Sequence, residues 1–228
     1  MALVAGVDGC RGGWLMVRLD TATRQGEAVL ASAWETLKLS GLDLVAVDMP
    51  IGLADRGPRA CDLAARQLLP APRKSSVFAP PRRYMLACPD WRTAQQAGRN
   101  REGVGLSKQS WNLVPKIAEI DRHVAPADQT WLREVHPELV FHSLNAWHAL
   151  APKKTAAGAA ERRRLLDRQA VALSWEALGV PRSRAAPDDL LDAAACALAA
   201  ERILAGRGHC LPPEPDRDRR GLKMEIWY

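Results

Sequence analysis

The chain predicts an α/β domain built on a mixed sheet, and three observations carry that expectation. Three short apolar runs near the N-terminus are separated only by turn-length stretches, which is the pattern of an antiparallel meander. A later run, "LDLVAVDMPIGL" (residues 42–53), is apolar on both faces until Asp48 and Pro50 stop it, as in a central parallel strand covered from both sides. Finally, 228 residues with 47% hydrophobic content can bury one substantial core. A single domain over residues 1–228 is therefore expected.

The elements follow in order. "LVAGVD" (residues 3–8) is a buried strand, and the glycines of "GCRGGW" turn it into a second strand, "WLMVRLD" (14–20). "EAVLASA" (27–33) is the third. "AWETLKLS" supplies one or two helical turns before the strand of residues 42–53. Residues 58–122 then change texture. Helical spacing at 59–69, 90–99 and 106–123, the last kinked at Pro115, alternates with the proline-rich "PAPRKSSVFAPPRRYMLACP", so an insertion or cover is expected rather than sheet. "TWLREVHPEL" (130–139) returns to strand and puts Glu134 and His136 on one face. A long helix from about Gly158 ends at Gly179, and "APDDLLDAAACALAAERIL" forms the last helix, with "GLKMEIWY" as a closing strand. This is the order of an RNase H-like fold: three antiparallel strands plus parallel strands, with helices on both faces.

Charge and cysteines narrow the partners. Net charge is +6, and residues 70–122 hold ten basic against four acidic residues while the remainder balances at 22 and 22. The excess belongs to one segment, as an electrostatic footprint for a polyanion would. The five cysteines are scattered without a Cys-x-x-Cys pair, which argues against a zinc knuckle and fits reduced thiols in the cytoplasm. No apolar run reaches the roughly 18 residues of a membrane span, and the N-terminus lacks a basic, then apolar, export signal. Membrane partners are not expected, and a homo-oligomer is left open.

Acids mark the candidate site. Asp8 and Asp48 end two strands that lie side by side in this strand order, so their carboxylates should meet and demand a cation between them. Ligands that are all oxygen suit Mg²⁺ or Mn²⁺. Asp188 and Asp189 follow Pro187, where they can cap the last helix. Asp192 lies nearly a turn further in, on the same face, and the small residues Ala193, Ala194, Ala195 and Ala197 would let that helix approach the sheet. Either Asp189 or Asp192 can then complete the cluster. Glu134 is a fourth candidate ligand, and His136 a candidate for orienting a ligand or moving a proton.

Nine segments carry a family resemblance: "VAGVDGCRGGW", "VAVDMPIGL", "CDLAARQLL", "KSSVFAPP", "GLSKQSWNLVPKI", "EVHPEL", "KKTAAGAAER", "DDLLDAAACA" and "MEIWY". Together they resemble the domain-of-unknown-function family 429, described as predicted RNase H-like nucleases. The resemblance implies metal-dependent phosphodiester hydrolysis with two divalent ions. As in Holliday-junction resolvases, Asp8 would take the first-strand position, Asp48 the fourth-strand position, and Asp189 or Asp192 the helix position. Glu134 has no counterpart in that pattern. Gly9, Gly12 and Gly13 would let a phosphate or metal approach beside Asp8, with Arg11 pairing to the phosphate. Ser75, Ser76, Lys108, Gln109, Asn112 and Lys116 would hold a nucleic-acid backbone.

Two other readings accompany this one. Actin-like phosphotransferases also place an acid beside a glycine-rich turn, but they use two such lobes, and here "VDGCRGG" occurs once. An RNase H-like module that binds nucleic acid or protein without cleavage is the other; the retained acids argue against it.

Overall fold

The computed structural model describes residues 1–171 and 182–228. In chain order the elements begin with strands β1 (Leu3–Cys10), β2 (Gly13–Asp20), β3 (Gly26–Ala31) and β4 (Leu44–Asp48), then helices α1 (Ala60–Leu68), α2 (Trp91–Glu102) and α3 (Lys108–His123). Strand β5 (Leu132–Glu134), helices α4 (Pro137–Leu144), α5 (Ala156–Asp167) and α6 (Pro187–Leu204), and the short strands β6 (Cys210–Leu211) and β7 (Ile226–Trp227) complete the chain.

Five strands form one mixed sheet in the order β3-β2-β1-β4-β5. β1 pairs antiparallel with β2 and parallel with β4, and β4 pairs parallel with β5. This is the RNase H-like arrangement that the element order predicts. Contacts divide the chain into two compact units: residues 1–49, 130–210 and 227–228, which contain the sheet, and residues 50–129 with 211–226. The helical segment expected at 58–122 falls within the second unit, which also takes in the C-terminal stretch.

In the first unit α6 lies on one face of the sheet. Its Ala193 to Ala200 are all buried, in one core with Val4, Leu15, Val17, Leu44 and Ala46 of the sheet and Val140 and Phe141 of α4. The helix can sit so close because β1 carries Gly6: a Cβ there would lie 2.0 Å from the Ala193 carbonyl oxygen and 2.1 Å from the Ala197 nitrogen. Alanine on the helix and glycine on the strand are thus one packing device.

Ion pairs join apolar contacts in holding the second unit. One of its core clusters gathers Met85, Ala94, Leu106 and Val114. The buried Arg59 grips Asp62 and the carbonyls of Ile51 and Gly52, while Arg83 pairs with both Asp121 and Asp218. Asp90 and Ser107 cap α2 and α3 as their residue types favour, and α2 ends on the left-handed Gly103.

Three elements differ from the sequence expectation. The strand expected over 130–139 is only three residues, because Pro137 at the first position of α4 starts a helix instead. The helix expected from Gly158 to Gly179 begins at Ala156 and closes at Asp167; the remainder of that expectation reaches residues 172–181, outside the described residues. The turns expected after β3 reduce to one 3-10 turn, Trp34–Thr36, whose Trp34 packs edge-on against Trp14. Among the described residues no helix is long and apolar enough to cross a membrane.

Gly6→Ala should cost at least about 2 kcal/mol, the scale of core overpacking, because backbone rather than a flexible side chain stands in the way. Urea unfolding of the variant checks this, and a loss under about 0.5 kcal/mol would mean that α6 is not held at that distance.

Candidate functional site

Parallel register sets the first two acids side by side: Asp8 pairs with Asp48 at the ends of β1 and β4. Residues in register point to the same face. Both alternate with Val4, Leu44 and Ala46, so they lie on the face that α6 covers. Asp192 of α6 is 4% exposed and joins them from the helix. Asp8, Asp48 and Asp192 thus share the covered face of the sheet and lie close enough for the charges of Asp48 and Asp192 to act on Asp8.

Their electrostatics follow from that convergence. Burial, then the charges of Asp48, Asp192 and Asp189, push Asp8 well above the usual carboxylate range. Burial raises Asp48 to about 7, with Lys153 drawing it down and Glu138 pushing it up. Asp192 rises to about 6 by burial, tempered by Lys153. Asp8 is only 8% exposed, yet among the described residues no hydrogen bond reaches its carboxylate. A carboxylate buried without a donor is costly to ionise unless a cation comes to it.

One cation is already built in. Lys153 Nζ stands 2.6 Å from Asp192 Oδ2 and 3.9 Å from Asp188 Oδ2. Burial opposes its charge, but Asp192, and then Asp48 and Asp8, hold it protonated well above the usual lysine range. The loop carrying it is pinned from several sides. Thr155 caps α5 and hydrogen-bonds the Pro152 carbonyl, and the Ala151 N–H donates to Glu161. Gly158 packs so near Pro152 that a Cβ would come within 2.1 Å of its carbonyl oxygen. Arg162, wholly buried, reaches back with Nη1 to the Ala151 carbonyl and donates from Nη2 to both carboxylate oxygens of Glu138, at 2.8 and 2.9 Å.

The segments "EVHPEL" and "KKTAAGAAER" are thereby one device: Glu138 anchors Arg162, Arg162 anchors the loop, and the loop presents Lys153. Sequence reasoning assigns no role to Lys153 or Arg162. The signal was the spacing Lys-x-Thr-x-x-Gly-x-x-x-Arg, an N-cap followed by a close-packed glycine and an inward cation.

The remaining site candidates separate. Asp189 Oδ2 accepts the Ala186 N–H at 2.8 Å, so it closes the start of α6 while still adding to the field on Asp8. Asp192 is the helix acid of the cluster. Glu134 pairs in register with Val47, not Asp48, and therefore lies on the opposite face of the sheet from Asp8 and Asp48, buried at 4%. Its expected role as a fourth ligand does not match that placement. His136 is half-buried and sits at the N-cap of α4, beyond the end of β5 rather than on it.

The turn glycines also find their partners within the protein. Arg11 and Gly12 form the two-residue turn between Cys10 and Gly13. A Cβ on Gly12 would meet Arg184 at 2.8 Å, and one on Gly13, at φ +126°, would meet the Ala31 carbonyl at 2.1 Å. These two glycines serve the hairpin and its packing rather than opening a phosphate cradle; Arg11 stays exposed.

Ser75, Ser76, Lys108, Gln109, Asn112 and Lys116 all belong to the second unit. Lys108, Gln109 and Asn112 are exposed on α3, with Lys116 half-buried; Ser76 donates to the Arg73 carbonyl. Ser75 and Gln109 line one cavity of about 540 Å³ with Lys74, Arg66, Phe78 and Leu106.

As a site for a divalent ion, the residues fit in chemistry: the donors are all oxygen, and one is buried without a partner. Among the described residues, however, no three His, Cys, Asp or Glu side chains already surround a common point.

Because the native state raises these carboxylates above their unfolded values, it binds more protons than the unfolded chain, and its stability falls as pH climbs from about 4 through about 7. Asp48→Asn should therefore be more stable than the parent above pH 7, by roughly 1–3 kcal/mol, with the difference vanishing near pH 4. Metal-free denaturant melts across pH decide this; a variant less stable at high pH would show that the cluster is not strained by its own charge. Arg162→Met should cost about 3–5 kcal/mol, since it leaves Glu138 buried without its partner. The same melts would contradict that role if the loss stayed under about 1 kcal/mol.

No curated protein and no solved structure matches the chain. One family does, described as "Protein of unknown function (DUF429)", over residues 6–217. The match covers Asp8, Asp48, Glu138, Lys153, Arg162 and Asp192 alike, and the chain belongs to the DUF429 family.

Proposed function

We propose that the protein is a metal-dependent phosphodiester hydrolase acting on nucleic acid in the cytoplasm. The observation that carries this reading is Asp8, a buried carboxylate with no hydrogen-bond donor among the described residues, placed in register with Asp48 and under Asp192. A bound Mg²⁺ or Mn²⁺ supplies Lewis-acid polarisation of a phosphoryl oxygen and a water that loses its proton near neutral pH.

Asp8 and Asp48 would hold the ion, and Asp192 would hold Lys153 beside it. The Glu138–Arg162 pair keeps the loop of Lys153 in place, and the close contact of α6 with Gly6 keeps Asp192 at the strand ends. Basic side chains exposed in the second unit support a polyanionic substrate: Lys74, Arg92, Arg99, Arg101, Lys108 and Arg122 face solvent, whereas Arg82 and Arg83 are spent on Glu102, Asp121 and Asp218. Five cysteines, none of them joined in a disulfide, support a reducing compartment.

A second reading, a binding module without catalysis, is favoured by the ammonium of Lys153, which already neutralises one of the three acids.

A cleavage screen over single- and double-stranded DNA and RNA and junctions, with Mg²⁺ or Mn²⁺, separates the two. Turnover should fail in EDTA, and Asp8→Asn or Asp48→Asn should abolish it while affinity for the substrate survives. His136→Ala should be milder, a loss of about 10- to 100-fold. Tight binding with no cleavage of any substrate would move the assignment to the binding module. If Lys108 and Lys116 of α3 contact phosphates, Lys108→Ala with Lys116→Ala should reduce the salt dependence of binding by roughly 0.7 to 0.9 in log-log slope per lost contact; an unchanged slope would assign them no phosphate.

A further inference from the structure

The number of ions the site takes follows from its charges. Once ionised around a bound cation, Asp8, Asp48 and Asp192 bring three negative charges to the covered face of the sheet, and Lys153 returns one positive charge at 2.6 Å from Asp192. Glu138 and Arg162 close on each other at 2.8 Å and cancel. Asp188 and Asp189 stand at the half-exposed start of α6, where solvent screens Asp188 and the Ala186 N–H engages Asp189. Two negative charges therefore remain uncompensated, those of Asp8 and Asp48. One divalent cation neutralises them. A second would leave an excess of two positive charges beside an ammonium that is itself 35% exposed, and positive charges so close together repel.

We propose that Lys153 takes the place of a second divalent ion: its ammonium satisfies Asp192, so the site holds a single Mg²⁺ or Mn²⁺ on Asp8 and Asp48. This rests on the metal-site reading above and replaces the pair of ions that the family resemblance implies with one ion and a tethered lysine. Lys153 suits the task because its position is fixed by the fold. The Thr155 cap, the close packing of Gly158 on Pro152 and the hold of Arg162 on the Ala151 carbonyl all act on the five residues around it. Lys153 is thus a positioning residue that sets the stoichiometry of the site.

The test is a Mn²⁺ titration of the full chain at neutral pH, followed by electron paramagnetic resonance of free Mn²⁺ and by calorimetry. The parent should bind one ion. Lys153→Met should bind a second ion, or the first on the order of tenfold more tightly, because a positive charge beside the ion is gone. Lys153→Arg should behave as the parent. The double variant Lys153→Met with Asp192→Asn, which removes both charges of the pair, should return to one ion; it also keeps the test open if Lys153→Met alone does not fold. Two ions in the parent would overturn the proposal, as would a folded Lys153→Met that binds one ion with unchanged affinity. Either result, if Asp8→Asn still abolishes binding, leaves the metal-site reading intact. Binding to the parent that Asp8→Asn does not alter, or no binding at all, overturns both.

Discussion

Like-charge repulsion in a buried place is the constraint around which the first unit is arranged. Three carboxylates at the ends of two neighbouring strands and one helix cannot all ionise without cations, and burial amplifies their mutual field. The fold meets part of that demand with its own side chains and leaves part unmet. Lys153 answers Asp192, and Arg162 answers Glu138. Lys153 also draws on Asp48 and Asp8 through space, but among the described residues no side chain hydrogen-bonds either carboxylate. A protein gains nothing in stability from that residue of strain, which is the physical ground for assigning the acids to binding rather than to architecture.

The packing that creates the strain is specific. α6 could not bring Asp192 to the strand ends if β1 carried any side chain at Gly6, and a buried run from Ala193 to Ala200 offers the sheet a nearly smooth surface. Parallel register between β1 and β4 does the rest, since an offset of one residue would send Asp48 to the opposite face. The same rule separates Glu134 from the cluster: its partner is Val47, and a residue paired one step short faces away.

Much of this was legible in the sequence, for identifiable reasons. Apolar runs ending in an acid before a glycine or proline announce strand ends, so Asp8 and Asp48 could be placed from pattern alone. The small residues of the last helix announced its close approach. Asp189 and Asp192 could not be told apart, because they share a helix face and only the hydrogen bond to Ala186 shows which one is committed to the helix start. Glu134 was misplaced because its face depends on the pairing of a three-residue strand, which no periodicity can reveal. The strand itself was read too long, since Pro137 is as compatible with the first turn of a helix as with the end of a strand. Lys153 left no periodic trace at all. A loop lysine acquires meaning only through what pins it, and its anchor Glu138 lies 24 residues from Arg162 in the chain.

Crystals soaked in Mn²⁺ test the central claim most directly, through anomalous difference density at the acid cluster. The account predicts one peak, shared by the carboxylates of Asp8 and Asp48, with Lys153 remaining on Asp192. Density absent from those two carboxylates, at Mn²⁺ concentrations that saturate the protein in solution, would contradict it.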